Sequence, residues 1–388
     1  MRVLHVISSG GMYGAEAVIL NLSRALEESG HSSSIGVFAN LPHPNLQLYD
    51  AGRREGIPSY RIECRGQIDP SVLRSIRSLA QEVRADIVHA HGYKADLYTW
   101  LALRNDGTPF VSTCHNWLDD GLLVRLYGRL DRVALRNYSA VVAVSEPVKQ
   151  RLAKAGVNSE RLFKISNGID LHPFRRAMPI LPEELQTESA QIVGIVGRLS
   201  PEKGIDLFLR AAGRVLADQP NTKFIVVGDG PDQDQLCRLT RELRLEGKVC
   251  FLGRRSDMPE ILASLDVLVL SSRFEGMPMT VLEGMASSRA IIATAVGEVP
   301  SVVHDGVTGL LIPPEDVDAL HKALTRLLRN PSERECLGER GKAFVEKCFS
   351  AKQMADEYLA VYQGVLSGTA GRGVLQTRSQ VSSDRATR

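Results

Sequence analysis

The sequence predicts an α/β protein made of two Rossmann-like, doubly wound domains. At 388 residues the chain exceeds one ordinary hydrophobic core. In both halves, short β-branched runs alternate with helical patterns, which is typical of parallel sheets with crossover helices. A glycine turn follows the first strand of each half, at Gly10 and at Gly197. Because such sheets bind ligands at the carboxyl ends of their strands, we expect a deep cleft between the domains.

The first domain is predicted over residues 1–170. Its expected strands are Val3–Ser8, Ser34–Ala39, Ile87–Ala90, Phe110–Cys114, Ala140–Val144 and Leu162–Ile165, and its expected helices include Ala15–Ser29, Ser71–Val83 and Glu146–Ala155. Residues 171–190 break this pattern with three prolines and are predicted to be the linker between the domains.

The second domain is predicted over residues 191–350. Its expected strands are Gln191–Val196, Lys223–Val227, Val249–Leu252, Asp266–Leu270, Ala290–Thr294 and Leu310–Ile312, and the helices between them include Ile205–Ala217, Gln233–Leu245, Pro259–Ala263 and Asp316–Leu328. Two more helical patterns follow, Ser332–Cys348 and one over residues 351–366. Residues 367–388 are polar and glycine-rich, so we expect a disordered tail.

The composition excludes several classes of function. With 44% hydrophobic and 24% charged residues, the chain resembles an ordinary globular protein. Its net charge of +2 lacks the basic excess of a nucleic-acid binder. Its six cysteines show no CxxC pair or zinc spacing, which favours free thiols in a cytoplasmic setting. No stretch approaches the ~20 apolar residues of a membrane span, so any contact with the inner face of the plasma membrane would be peripheral.

The stretch with the clearest chemical meaning runs from Phe274 to Glu283. Its carboxylates, Glu275 and Glu283, stand eight residues apart, the first in a loop and the second on a helix. Pro278 suits the first helical turn, where its missing N–H costs nothing. The backbone amides of Gly276, Met277 and Met279 would then point out of a helix N-terminus, where an anion binds readily. Amides for a phosphate beside carboxylates for hydroxyls suit a sugar nucleotide.

Two cations follow the first strand of the second domain. Ser200 and Pro201 predict a helix start, which places Arg198 at the strand end and Lys203 in the first helical turn. A guanidinium and an ammonium that converge on one point suit a pyrophosphate. The alternative is two solvated surface charges. Two further strand ends, Gly230 in a turn and Arg254, are weaker candidates for the same cleft.

In the first domain, Gly10 and Gly11 lie between a strand and a helix, where a backbone can approach a phosphate. A tight turn without a ligand is the alternative. The turn does not match a dinucleotide fingerprint, because Ser9 takes the place of the first glycine and Asn40 the place of the acid. A nicotinamide dehydrogenase is therefore disfavoured.

Among the histidines, His115 is the best candidate for a site residue, because it stands at the end of the expected strand Phe110–Cys114, where that strand should meet the cleft. His89 and His91 share a face of the preceding strand, so one of them is expected to pack inside, and His5 is expected in the core. No metal site is expected, since the chain has no HExxH, cysteine cluster or acidic pair at ligand spacing.

A basic stripe recurs at helical spacing within residues 122–136, at Arg125, Arg129, Arg132 and Arg136. A helix packed by its leucines with a solvated arginine edge explains the pattern. A basic amphipathic helix that docks on anionic lipid explains it as well.

Together these residues resemble the retaining glycosyltransferases of the GT4 family, which have the two-domain GT-B fold. Glu275 and Glu283 match the E-x7-E motif of that family and follow Arg198 and Lys203 in the same chain order. The resemblance implies that Glu283 binds the donor ribose, that Glu275 contacts the transferred sugar, and that the two cations hold the diphosphate. It also implies that His115 lies near the C6 side of the sugar.

The resemblance implies further assignments. The amides of residues 276–279 would face the phosphate and the sugar, and the Gly10–Gly11 loop would lie by the phosphates and the acceptor. The last helix would cross back onto the first domain. The implied reaction moves a hexose-type sugar from a nucleotide-diphosphate sugar to a saccharide or lipid-linked acceptor, with retention of configuration and without a metal or other cofactor. Cell-surface polysaccharide or glycolipid is the expected product.

Other functions stay open at this point. A sugar-nucleotide epimerase on the same fold would need no acceptor, and a phosphorylase would need a lysine placed for pyridoxal phosphate. A non-catalytic nucleotide-binding scaffold is a third alternative, against which the complete set of Arg198, Lys203, Glu275 and Glu283 argues.

Overall fold

The computed structural model of the chain describes residues 1–12, 14–66, 68–115, 133–180 and 190–369. It divides the chain into two compact units. Unit 1 comprises Met1–Gly168 and the segment from Ala351 onwards, and unit 2 comprises Ile169–Ser350. Among the described residues no helix is long and apolar enough to cross a membrane.

Unit 1 contains one parallel sheet of seven strands within the described residues. The strands are β1 (Arg2–Ile7), β2 (Ser32–Leu41), β3 (Ser59–Arg65), β4 (Ile87–His91), β5 (Phe110–Cys114), β6 (Ala140–Ala143) and β7 (Leu162–Lys164), and the helices are α1 (Gly14–Glu28), α2 (Gln47–Arg54), α3 (Ser71–Glu82), α4 (Tyr93–Leu103) and α5 (Glu146–Lys154). The spatial order is β3-β2-β1-β4-β5-β6-β7. Strands β2 and β3 are thus added on one side of β1, and the strands from β4 onwards are added on its other side.

Unit 2 repeats this plan with six strands in the described part of the chain. The strands are β8 (Ile192–Val196), β9 (Lys223–Val227), β10 (Val249–Gly253), β11 (Val267–Leu270), β12 (Ala290–Thr294) and β13 (Leu310–Ile312), and the helices are α6 (His172–Arg176), α7 (Ile205–Asp218), α8 (Gln233–Glu242), α9 (Met258–Ala263), α10 (Met279–Ala286), α11 (Val299–Val302), α12 (Val317–Arg329) and α13 (Pro331–Cys348). The order is β10-β9-β8-β11-β12-β13, with the corresponding switch of strand order between β8 and β11.

The central strands of both units are buried on both faces, as parallel sheets covered by helices require. Every residue of β4, β5, β11 and β12 is buried. This confirms the predicted class of two parallel-sheet α/β domains.

The last described helix, α14 (Ala351–Leu366), belongs to unit 1. It packs against α1. Two buried tyrosines of this helix form hydrogen bonds with side chains of the sheet. Tyr358 Oη lies 2.9 Å from Thr113 Oγ1, and Tyr362 Oη lies 2.7 Å from His89 Nδ1. The expected disordered tail falls almost wholly on residues 370–388, which lie outside the described residues.

The segment predicted as a linker contains helix α6 within its described part. Arg175 Nη2 of this helix forms an ion pair of 2.8 Å with Glu346 Oε1 of α13. This contact ties α6 to unit 2.

Candidate active site

The candidate site of unit 2 lies at the carboxyl ends of β8 and β11, the two strands between which the strand order of the sheet switches. Strands β8 and β11 are neighbours with parallel register, Val193 opposite Val267 and Ile195 opposite Val269. Their carboxyl ends therefore bring two loops side by side, residues 197–204 after β8 and residues 271–278 after β11. This is the position at which doubly wound sheets bind ligands.

An ion pair joins the two loops. Lys203 Nζ lies 2.6 Å from Glu275 Oε1, and the side chain of Glu275 is 7% exposed. Ser272 Oγ donates to the same carboxylate oxygen at 2.6 Å. The backbone carbonyl of Ser272 in turn accepts a 2.6 Å hydrogen bond from Thr294 Oγ1, which fixes the loop to β12. The structure thus brings together the cation and the carboxylate that the sequence assigned to one ligand.

The close approach of these loops depends on two glycines. Gly204 has φ +61°, and a Cβ there would lie 2.1 Å from the carbonyl oxygen of Ser271. Gly297 has φ +54°, and a Cβ there would lie 1.9 Å from the carbonyl oxygen of Glu275. Neither position has room for a side chain, and both adopt the left-handed conformation that favours glycine.

The predicted helix start at Ser200 and Pro201 is wrong in detail. Residues Pro201–Lys203 form a single 3₁₀ turn, and helix α7 begins only at Ile205. Because Gly204 is left-handed, the turn cannot continue into the helix. Lys203 consequently lies in the turn before the helix, from where its side chain reaches Glu275.

The start of helix α10 also differs by one residue from the prediction. Pro278 is the N-cap with ψ 90°, and the helix begins at Met279. The carbonyl of Pro278 accepts from the amides of Val281 and Leu282. Within the described ranges, the amides of residues 276, 277, 279 and 280 donate no backbone hydrogen bond. They are available to an anionic group at a helix N-terminus.

Met277 and Met279 direct their side chains inward, since both residues are 8% exposed. The loop before α10 therefore offers backbone rather than side chains at these two positions. The structure places the four predicted donor-binding residues 276–279 in one continuous segment beside Glu275.

Glu283 stands on the second turn of α10 and is partly buried. Burial raises the pKa of its carboxyl to about 7. In the described part of the chain its carboxylate has no hydrogen-bond or ion-pair partner. A desolvated, unpaired carboxyl beside a helix N-terminus is the kind of perturbed group that marks a ligand site.

Arg198, Gly230 and Arg254 follow three adjacent strands of the unit 2 sheet, β8, β9 and β10. Arg198 is exposed, and among the described residues its guanidinium forms no hydrogen bond or ion pair. Gly230 packs on the same turn, because a Cβ there would lie 2.3 Å from the carbonyl oxygen of Leu199. Arg254 follows β10, which is separated from β8 by β9. Arg198 and Gly230 therefore lie on adjoining backbone, and Gly253, the residue before Arg254, accepts a hydrogen bond from the amide of Gly228 after β9.

Sequence reasoning missed Arg273, which holds the two loops in place. Its guanidinium makes two hydrogen bonds with the carboxylate of Asp206, at 2.8 and 2.9 Å, and its backbone N–H donates to the carbonyl of Glu202 at 2.8 Å. The hydrogen bonds to Asp206 raise the pKa of Arg273. No local pattern identifies such a contact, because its partners lie about seventy residues away in the chain.

In unit 1, the Gly10–Gly11 turn follows β1 and is held by Ser9. Ser9 Oγ lies 2.9 Å from both the carbonyl oxygen of Gly11 and Glu16 Oε1. Glu16, on the first turn of α1, is buried. The residue that excluded a dinucleotide fingerprint is thus a structural member of the turn.

His115 follows β5 and is partly exposed. Its Nε2 lies 3.1 Å from His91 Nδ1. His89 and His91 are both buried, at 0% and 3% exposure, so the expectation that one of them packs inside holds for both. The reason is that β4 is covered on both faces.

His5, His89 and His91 place ligand atoms within 4.8 Å of one another, a spacing that a metal ion accepts. Five of the six ring nitrogens already have partners among the described residues: His5 Nδ1 and His91 Nε2 contact each other, His91 Nδ1 contacts His115, and both nitrogens of His89 are hydrogen-bonded, to Thr113 and to Tyr362. We therefore assign no metal to this cluster.

The stripe of four arginines lies largely outside the described residues, which include only Arg136 of the four. Arg136 Nη2 donates to the carbonyl of Ala155 at 2.9 Å. Membrane docking by residues 122–136 stays a prediction.

Comparison with known proteins gives two family matches. The family described as Glycosyltransferase Family 4 matches residues 12–172, and that described as Glycosyl transferases group 1 matches residues 179–344. The two matches lie one after the other and together span most of the chain.

Similar proteins include N-acetyl-alpha-D-glucosaminyl L-malate synthase of Bacillus anthracis, 25% identical over 93% of this chain and 95% of the relative. Alpha-D-kanosaminyltransferase of Streptomyces kanamyceticus is 27% identical over 76% of this chain and 81% of the relative. Among solved structures, Anabaena HepE in complex with UDP-glucose has a TM-score of 0.78 at 22% identity and covers 95% of this chain and 100% of its own. The last likeness shows the fold.

Proposed function

Because this chain belongs to glycosyltransferase family 4, we propose that it moves a hexose-type sugar from a nucleotide-diphosphate sugar to an acceptor hydroxyl. One observation carries the proposal. The Lys203–Glu275 ion pair of 2.6 Å stands beside the free amides that open helix α10, and the same helix carries Glu283. A cation and amides suit a diphosphate, and carboxylates suit sugar hydroxyls.

We assign the ribose hydroxyls of the donor to Glu283 and the transferred sugar to Glu275. The solved HepE structures contain UDP or UDP-glucose. On that likeness we favour a uridine diphosphate sugar as the donor.

In the proposed reaction the bond between sugar C1 and the diphosphate oxygen breaks, and a bond between C1 and the acceptor oxygen forms. The acceptor proton passes to a phosphate oxygen. Attack from the side of the leaving group retains the anomeric configuration. Arg198, Lys203 and the dipole of α10 stabilise the charge on the departing diphosphate, which makes a metal unnecessary.

The alternatives are less well supported. Both matching family models describe glycosyltransferases, which does not favour an epimerase or a non-catalytic scaffold. An epimerase would form its product from the nucleotide sugar alone, so incubation without an acceptor distinguishes it from a transferase.

For the acceptor we propose a saccharide or a lipid-linked saccharide of the cell surface, reached in the cytoplasm. The basic stripe at residues 122–136 supports a lipid-linked acceptor, and vesicle binding with and without anionic lipid tests this part separately.

The proposal is tested with a panel of nucleotide sugars, scored by thermal shift and by hydrolysis. One nucleotide class should raise the melting temperature. Glu283→Ala should weaken the binding of that nucleotide about tenfold or more, because a hydrogen bond to a charged group is lost. Glu335→Ala, which removes an exposed carboxylate on α13, is the matched control. Unchanged binding by Glu283→Ala would contradict the ribose assignment.

A further inference from the structure

Three histidines of unit 1 are joined end to end in the interior. His115 Nε2 lies 3.1 Å from His91 Nδ1, and His91 Nε2 lies 3.1 Å from His5 Nδ1. Both nitrogens of the central ring are therefore used. The two outer nitrogens of the chain, His115 Nδ1 and His5 Nε2, are buried and have no partner among the described residues.

All three rings are neutral near pH 7. Burial lowers the pKa of His115 to about 4 and that of His5 to about 3, and it lowers the pKa of His91 well below its usual value. Each ring then carries one proton, on one of its two nitrogens.

The surrounding groups add little charge. The titratable groups that face the chain or contact its neighbours are His89 of β4, Cys114 of β5, and Tyr358, Tyr362 and Glu357 of α14. Burial lowers the pKa of His89 and raises the pKa of both tyrosines.

The two links allow only two arrangements of the three protons. Each link needs one N–H and one lone pair. If His115 carries its proton on Nδ1, then His91 and His5 must carry theirs on Nδ1 as well. If His115 carries it on Nε2, the other two must also carry theirs on Nε2. The three tautomers are therefore concordant.

The row of linked histidines is closed at its inner end, because His5 is completely buried and its Nε2 has no partner in the described part of the protein. To change from one arrangement to the other, a proton must enter or leave at that atom. Among the described residues, no group contacts this atom that could deliver or accept the proton. The arrangement is thus fixed in the folded protein, and the chain cannot carry a proton away from His115.

We propose that His5 and His91 are positioning residues that hold the ring of His115 in a single neutral tautomer. The tautomer fixes whether Nδ1 of His115 donates or accepts a hydrogen bond, and the ring exchanges no proton with a substrate. A role of His115 in turnover rests on the proposed function, whereas the concordant tautomers rest on the geometry alone.

The first test is NMR of the full chain labelled with ¹⁵N-histidine, with two-bond ¹H–¹⁵N correlations that report the tautomer of each ring. Single His→Gln variants assign the signals. His5, His91 and His115 should show the same tautomer and no titration between about pH 5.5 and 8.5. Opposite tautomers within the chain, or a titration of His115 in that range, would overturn the proposal. This test needs no turnover, so it stands apart from a failure of the proposed activity.

The second test compares His5→Leu with His5→Asn. Leucine removes the partner of His91, whereas the asparagine amide retains a donor and an acceptor near the position of Nδ1. His5→Leu should lower kcat about two- to tenfold, as expected for one lost hydrogen bond, and leave the KM for the donor unchanged. His5→Asn should recover most of the loss. Equal activity of His5→Leu and the unsubstituted chain would contradict the proposal, and if His5→Leu fails to fold, the NMR test decides.

Discussion

Glu283 is held in the fold at a cost. Burial raises the pKa of its carboxyl to about 7, and no contact in the described part of the chain compensates for the lost hydration. When the pKa of a carboxyl is higher in the folded than in the unfolded state, the free energy of unfolding falls as pH rises from the unfolded-state pKa to the folded-state pKa. Here that window runs from the ordinary glutamate pKa of 4.5 to about 7. A costly residue at a loop-and-helix junction is expected where binding requires it.

Glu283→Gln should therefore stabilise unit 2 above pH 7. The raised pKa of Glu283 corresponds to a gain of roughly 1–3 kcal/mol in the free energy of unfolding of the variant, after allowance for partial exposure. Below about pH 4.5 the two proteins should be equally stable, because the carboxyl is then protonated in both states. Denaturant unfolding at pH 8 and at pH 4.5 measures both values, with Glu335→Gln as the exposed control. A variant less stable than the unsubstituted chain at pH 8 would show that Glu283 has a stabilising contact.

The Lys203–Glu275 pair should show coupling in a double-mutant cycle. Removal of one partner leaves a charge in a site where Glu275 is only 7% exposed, so Lys203→Met and Glu275→Gln should each cost about 1–3 kcal/mol. The double variant should cost less than the sum. The pair Lys352–Asp356 is the control: its side chains are 77% and 51% exposed, and its coupling should stay below about 0.5 kcal/mol. Additive effects at Lys203 and Glu275 would mean that the ion pair has no energetic weight.

At the residue scale, the sequence predicted a set of candidate donor-binding groups but not how they are held. Spacing and chain order predicted that Lys203 and Glu275 share a ligand. Their direct contact and the clamp formed by Arg273 depend on pairs about seventy residues apart, whereas Ser272 supports Glu275 from three residues away. His115 was predicted from its place at a strand end, whereas its link to His5 through His91 becomes visible only when β1, β4 and β5 are neighbours.

At the element scale, the two loops of the unit 2 site depend on backbone positions more than on side chains. Gly204 ends the 3₁₀ turn and lies against the carbonyl of Ser271, whose hydroxyl donates back to the carbonyl of Gly204 at 2.7 Å. This contact sets the position of Lys203, one residue earlier. A change at Gly204 should consequently affect the site as well as the fold.

Gly204→Ala should destabilise unit 2 by about 3 kcal/mol or more and reduce nucleotide binding. The left-handed backbone alone costs an alanine roughly 1–2 kcal/mol, and the overlap with the carbonyl of Ser271 adds to it. Gly247→Ala is the matched control, since Gly247 has φ +72° with nothing within 4 Å of an added Cβ. Thermal unfolding and nucleotide titration measure the two variants. Equal losses for both glycines would contradict the role of the close contact.

Strands buried on both faces were predicted most accurately. Phe110–Cys114, Lys223–Val227, Ala290–Thr294 and Leu310–Ile312 have the predicted bounds, because continuous apolar or β-branched runs identify such strands. Five elements in the described part of the chain were not predicted: strand β3 and helices α2, α4, α6 and α11. Strand β3 is an edge strand that alternates buried and exposed residues, and α2 is a short polar helix, so neither shows a continuous apolar run.

At the scale of the whole molecule, unit 1 is assembled from both ends of the chain. Helix α14 contributes six buried side chains to it: Met354, Ala355, Tyr358, Leu359, Val361 and Tyr362. At about 1.5–3 kcal/mol for each large apolar side chain, this burial amounts to about 10 kcal/mol. That value is comparable with the whole stability of a typical domain.

A chain that ends at Ser350 should therefore lose the folded state of unit 1, whereas unit 2, whose residues end there, should still bind nucleotide. A chain that ends at Thr369 is the control and should keep both units. Calorimetry with and without nucleotide separates the two transitions. Cooperative unfolding of unit 1 in the shorter chain would show that α14 is dispensable.

The central claim is that the site of unit 2 binds a nucleotide-diphosphate sugar for transfer with retention. One ¹H NMR measurement tests it most directly: the coupling constant of the anomeric proton in the product formed from an α-linked nucleotide sugar and a saccharide acceptor. We expect an α-linked product, formed by the unsubstituted chain and by Glu335→Ala, and lost or strongly reduced in Glu283→Ala. A β-linked product, or full activity of Glu283→Ala, would contradict the account.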